Sequence, residues 1–286
     1  MQRRTERRIY WSQNHGVVDD MRVGIMQPYF FPYLGYFDLI AATDRWIVGD
    51  TAQYIRHGWV NRNRILHPAS GWQYIIVPTK KHPHEAPISS VEVSNGVDWR
   101  ARILGQIQHY RKKAPFYEPT MQLVRDCLST PETSLSRLNV HALERVCSHL
   151  RLRFDYAYLS ELDLPLGPVE APGDRALRIA QALGAREYVN PPGGAGLYDA
   201  ARFTEAGVKL TIRQLVDFRY PCGGYQFEPL LSVIDVLMWN PPSAIRDFLH
   251  SLQQPERHQD GYAHGRVPPD TRVVGVPGEV ASTGEG

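Results

Sequence analysis

What is scarce in this chain of 286 residues narrows its chemistry first. Cysteine is nearly missing: Cys127, Cys147 and Cys222 stand far apart, with no CxxC pair. That excludes a disulfide framework and matches a reducing compartment, so a cytoplasmic location is expected. Neither sign of charge prevails, with 32 Lys and Arg against 30 Asp and Glu. No global field therefore draws the chain to nucleic acid or to an anionic membrane. No apolar run reaches the roughly 20 residues that cross a bilayer. Arg3, Arg4, Arg7 and Arg8 are followed by a mostly polar stretch from Trp11 to Asp20, not by the apolar core of a signal peptide. Zinc and iron motifs are absent as well, which leaves a small-molecule substrate or a protein as the expected partner.

What is present is an apolar content of 43%, ample for a core. Short apolar runs predict strands at Val23 to Gln27, Trp46 to Gly49, Trp72 to Val77, Arg153 to Tyr158, Glu187 to Val189 and Lys209 to Arg213. Helical periodicity covers Leu34 to Thr43, Trp99 to Lys112, Pro115 to Leu128, Ser134 to Leu150, Asp174 to Leu183, Asp199 to Ala206, Leu230 to Met238 and Pro242 to Leu252. The alternation predicts an α/β fold, a mostly parallel sheet flanked by helices. Three helical patterns with no strand among them predict a helical subdomain around residues 98–150. Residues 1–20 read as a polar extension, so that either Met1 or Met21 is the true start. Residues 21–252 form the expected domain, and 253–286, rich in Pro, Gly and charge, the expected disordered tail.

In open parallel sheets ligands sit beyond the carboxyl ends of the strands. "IMQPYFFPYLGYFDLI", Ile25 to Ile40, follows the first predicted strand, and Pro28 and Pro32 stiffen it. Phe30 and Phe31 read as an aromatic plug. Gln27, Tyr29, Tyr33 and Tyr36, with polar tips, read either as a ligand wall or as structure. After the second strand come Asp50, a base or a helix cap, and then Gln53, Tyr54, Trp59, Arg62, Asn63 and Arg64. Arg62 and Arg64 share one face of an extended segment, where they grip one carboxylate or phosphate or lie solvated on a surface strand. Lys80 and Lys81 follow the third strand and present the same pair of readings. Pro83 interrupts His82, His84 and Glu85, which argues against a metal site. "NPPGGAGLYD", Asn190 to Asp199, lacks both the P-loop ending and GxGxxG spacing and reads as a turn. Asp235, among Val233, Ile234, Val236 and Leu237, must be buried with partners or stand at a site lip. Cys222 has no activating neighbour in sequence and reads as an inert thiol.

In this order, "IMQPYFFPYLGYFDLI", "TAQYIRHGWVNRNRI", "VPTKK", "HYRKKAPFYE", "LNVHALERVCSHLRL", "LGAREYVNPPGGAGLYDAARFTEAGVKL" and "YQFEPLLSVIDVL" resemble the WbqC-like protein family, from Met21 to about Leu252. Two departures stand out: Leu159 replaces a second serine beside Ser160, and "MWNPP" replaces a phenylalanine-asparagine-glycine ending. The resemblance implies an accessory of surface-polysaccharide (O-antigen) or specialised-metabolite biosynthesis, found beside aminotransferases and acyl-handling enzymes. A looser similarity links the first loop to the FxPxHxGH arrangement of nucleotidyltransferases, with Tyr33 and Tyr36 where histidines would stand.

The expected function is therefore a transferase or ligase joining an acyl or aminoacyl group to an amine, through an adenylate or a thioester on an acyl or peptidyl carrier protein. Asp50, Arg62 and Tyr36 are the expected catalytic residues. Gln27, Tyr29, Tyr33, Gln53, Tyr54, Trp59, Asn63, Arg64, Lys80, Lys81 and Asp235 are expected to bind substrate. The cofactor is open, ATP with Mg²⁺ being one choice and no resident metal being expected. A nucleotidyltransferase acting on a sugar phosphate and a non-catalytic scaffold are the alternatives.

Overall fold

A computed structural model describes residues 20–166 and 173–253. The expected extension, apart from Asp20, and the expected tail beyond Gln253 lie outside the described residues. Five parallel strands form the centre: β1 (Arg22–Met26), β2 (Arg45–Val48), β5 (Tyr156–Tyr158), β6 (Glu187–Asn190) and β7 (Lys209–Ile212), in the order β5-β2-β1-β6-β7. Strands covered on both faces need continuous apolar runs, and the buried "VGIM" of β1 and "WIV" of β2 supply them, with the buried Arg45 paired to Asp155. Gly24 lets the Trp46 ring lie flat on β1, because a Cβ there would sit 3.0 Å from that ring. The chain first steps from β1 to β2 and β5, then returns to β6 on the other side of β1. This makes the gap between β1 and β6 the topological switch point.

One predicted strand lies elsewhere. Trp72–Ile76 (β4) is not in the parallel sheet but pairs antiparallel with Arg62–Leu66 (β3), the extended segment that carries Arg62 and Arg64. The reason is local: five residues, 67–71, close the hairpin, with Gly71 at φ 64° and the His67 amide donating to the Gly71 carbonyl at 2.9 Å. Joining a parallel sheet would have required a full crossover.

Eight α-helices are described: α1 (Leu34–Ala41), α2 (Trp99–Ile107), α3 (Tyr117–Leu128), α4 (Leu135–Leu150), α5 (Asp174–Ala182), α6 (Ala200–Glu205), α7 (Val233–Trp239) and α8 (Pro242–Ser251). Their starts follow capping chemistry legible in the sequence. Asp98 accepts from the Ala101 amide, Ser134 from Arg137 and Asp199 from Ala201. The apolar pattern from Leu230 becomes helical only at Val233, because Leu230 has φ 57° and Ser232 caps the helix behind it. Helices α2 to α4 follow one another without a strand, as expected, and share one hydrophobic cluster with α1, the hairpin and α7.

Candidate functional site

The aromatic connector after β1 is buried. Tyr29, Phe30, Phe31 and Tyr36 are core residues, and the Tyr36 hydroxyl donates to the Gln27 carbonyl at 2.8 Å while its ring packs on Trp46 at 5.0 Å. Burial drives the Tyr29 and Tyr36 pKa values well up, so both phenols stay neutral. A buried loop must find partners for its peptide groups, and three distant elements provide them. Asn139 of α4 donates to Pro28 and Val60 carbonyls at 2.7 and 2.6 Å, and Asn63 of β3 to Phe30 and Phe31, both at 3.0 Å. Ser232 donates to Phe31 at 2.7 Å, and the Phe30 amide donates to Trp59. The connector is the keystone joining sheet, hairpin and α7, and Tyr29 and Tyr36 are buried within it. Tyr33, half-buried, lies over Gly35, and burial pushes its phenol up to about 12.

A different cluster forms at the carboxyl edge of the sheet. Asp50, directly beyond β2 and only 2% exposed, receives the Ser160 amide at 2.9 Å on one oxygen and the Ser160 hydroxyl at 2.5 Å on the other. Burial raises the Asp50 pKa, with Glu161 adding to the rise and the Ser160 bonds opposing it. Ser160 itself, just beyond β5, is exposed. Beside them the Arg175 Nη2, in the first turn of α5, donates to the Thr51 hydroxyl at 2.9 Å. Its buried Nε has no hydrogen-bond partner among the described residues. The glycine-rich segment after β6 is a tight 3₁₀ turn, Pro192–Leu197: a Cβ on Gly194 would come within 2.2 Å of the Asn190 amide nitrogen. Asn190 in turn accepts from the Tyr188 and Tyr198 hydroxyls. A carboxylate bonded to an exposed hydroxyl, with a guanidinium on the neighbouring Thr51, thus lies where parallel sheets place their chemistry.

The other expected residues go elsewhere. Arg62 binds the His57 carbonyl and stacks on Tyr74, and Arg64 lies against Trp59 and Trp72, so neither touches Asp50. Gln53 donates to the His84 carbonyl, and Tyr54 is buried edge-on to His82. Lys80 pairs with Glu92 at 2.5 Å, whereas Lys81 is exposed. Asp235 is fully enclosed, accepting from Tyr110 at 2.5 Å and Tyr220 at 2.7 Å, with burial holding its pKa up at about 6. The Cys222 thiol is buried too and pushed up to about 12. Among the described residues no group of three or more His, Cys, Asp or Glu is placed to hold a metal ion. Thr51, Ser160 and Arg175 were not among the expected site residues, and Leu159 in place of a second serine argued against Ser160; the one signal for Arg175 was a basic residue in the first turn of a helix that opens at this edge.

Fold and edge cluster together define an α/β protein of the open parallel-sheet class, with its polar site at the carboxyl ends of the strands. The profile of the WbqC-like protein family matches residues 27–247, and the chain belongs to that family. Among its relatives is the uncharacterized protein Rv1507c of Mycobacterium tuberculosis, 31% identical over 237 residues, a match that covers 82% of this chain and 99% of the relative. No solved structure matches. No helix of the described residues is long and apolar enough to cross a membrane.

Proposed function

We propose that this chain is a biosynthetic enzyme that joins an acyl or aminoacyl group to an amine, with its centre at Asp50, Ser160 and Arg175. The observation that carries the reading is the Ser160 hydroxyl, exposed on one side and bonded at 2.5 Å to a buried carboxylate of raised pKa on the other. An amine attacking an activated carbonyl must lose a proton. It passes that proton to the Ser160 oxygen as Ser160 passes its own to Asp50, so the proton ends on Asp50 and the leaving group departs as an anion. Arg175 takes the anchoring part that Arg62 and Arg64 were expected to play, its Nε supplying a donor for the donor's carboxylate, phosphate or carbonyl oxygen. Donors of the adenylate and carrier-thioester types both suit such a centre, as does an amino-sugar or specialised-metabolite amine.

The experiment pairs thioester and aminoacyl-adenylate donors with a panel of amino sugars and reads amide formation by mass spectrometry. Asp50→Asn and Ser160→Ala are expected to lose at least about a hundredfold in rate, the usual worth of a positioned base, while melting as the native chain does. Full activity in both variants overturns the reading. The same unpartnered Arg175 Nε favours, as second reading, nucleotidyl transfer to a sugar phosphate. In that case ATP with Mg²⁺ raises the melting temperature in proportion to the logarithm of its concentration, and Arg175→Ala abolishes the rise.

A further inference from the structure

The balance of charge over the whole chain conceals a local imbalance. From Thr51 to His84 there is no Asp or Glu, yet Arg56, Arg62, Arg64, Lys80 and Lys81 all fall there, so the rest of the chain holds more acid than base. This segment is the β3–β4 hairpin and its flanking loops. Directly opposed residues of an antiparallel pair share a face, and the register sets Arg62 against Ile76, Arg64 against Tyr74 and Leu66 against Trp72. The alternate residues Asn63, Ile65 and Ile75 are buried, as is Leu66 at the closed end, so Arg62, Arg64, Trp72, Tyr74 and Ile76 form the outer face. There the Arg62 guanidinium lies 4.1 Å above Tyr74, and that of Arg64 lies between Trp59 and Trp72 at 5.3 and 5.1 Å. Stacking keeps the two cations against the sheet. Exposed hydrocarbon gathers at the same place. Ile55, Trp72 and Ile76 are 38%, 38% and 44% exposed, and among the described residues the other large apolar side chains so exposed are Val97 and Leu215.

We propose that the outer face of this hairpin is a docking surface for an acidic protein partner, one presenting an aliphatic stripe bordered by carboxylates. Charge complementarity selects the acidic partner, since Arg62 and Arg64 lie on this face, Arg56 and Lys81 are exposed beside it, and the segment itself carries no Asp or Glu, Lys80 being paired with Glu92 from outside it. The aliphatic exposure selects protein over nucleic acid. Binding single strands uses open ring faces for bases to stack on, and here a guanidinium already occupies one face of Tyr74 and one of Trp72. Exposed isoleucines, in contrast, suit the apolar centre of a protein interface with arginines around it. This proposal does not depend on the chemistry proposed at Asp50.

The test uses the full chain and three fluorescent probes: an amphipathic Leu/Glu helical peptide of about 20 residues, its Leu/Lys counterpart, and an oligo-dT of similar length. The acidic peptide is expected to bind about tenfold or more tighter than the basic one, and to weaken at least about tenfold between low and high salt. Arg56→Glu and Ile76→Glu, both at exposed positions, are expected to weaken it about tenfold each with the melting temperature unchanged. Equal binding of the two peptides, or native affinity in both variants, overturns the proposal. So does tighter binding of oligo-dT that the same variants abolish, or self-association of the chain through this face in sedimentation.

Discussion

Replacing Asp235 by Asn is expected to change how stability depends on pH, by an amount the structure sets. Asp235 is 1% exposed and its two oxygens accept hydrogen bonds from Tyr110 and Tyr220. Those bonds favour the carboxylate, but the cost of burying its charge is larger, and the pKa rises from 3.8 to about 6. Between these values the native state holds a proton that the unfolded chain has released. The native state therefore loses stability as pH rises through this window and is level above it. Two pKa units at about 1.4 kcal/mol each come to about 3 kcal/mol. Urea unfolding of both proteins, followed by tryptophan fluorescence from about pH 4 to pH 7, isolates this residue, because every other titrating group cancels in the difference. The native chain should lose about 3 kcal/mol relative to Asp235→Asn across the range. A difference that stays constant, or that grows in favour of the native chain with pH, would refute a buried, proton-retaining Asp235.

Two further predictions concern the scaffold around the buried connector. Asn63→Ala removes the side-chain donor to the Phe30 carbonyl, one of the two to Phe31, whose other donor is Ser232, and the acceptor for the Arg64 amide. A loss of about 3 kcal/mol in urea unfolding is expected, and a loss under about 1 kcal/mol would show that the loop finds other partners. Arg213→Leu breaks the pair with Asp38, which is 2% exposed and bonded to the guanidinium at 2.9 and 2.6 Å. It should cost about 3–5 kcal/mol, and the double variant Asp38→Leu/Arg213→Leu should recover most of that. Failure of the recovery would assign the loss to packing and not to the stranded carboxylate.

Tracing what could be read from residue order alone separates local from distant causes. Strands β1 and β2 announced themselves because strands buried on both faces favour apolar runs such as VGIM and WIV, and α2 and α4 because Asp98 and Ser134 are capping residues ahead of periodic sequence. β3 was obscure: "RNRIL" alternates polar and apolar with its cations outward, a pattern that a solvated loop also shows. The buried fate of "QPYFFPY" was equally hidden. Proline and tyrosine permit either an open wall or a packed plug, and the choice fell to Asn63, Asn139 and Ser232, which stand 32 to 201 residues away in their contacts with Phe31 and Pro28.

The order of residues thus determined the α/β alternation, most helix starts and membership of the WbqC-like family, since each depends on periodicity, capping or motif within a few dozen residues. Tertiary structure alone decided which polar groups meet. Asp50 and Ser160 are 110 positions apart, and Thr51 and Arg175 are 124 apart. They come together because β5 pairs with β2 and α5 opens at the same edge. Strand order is a property of the packed sheet, and no local pattern of hydrophobicity encodes it.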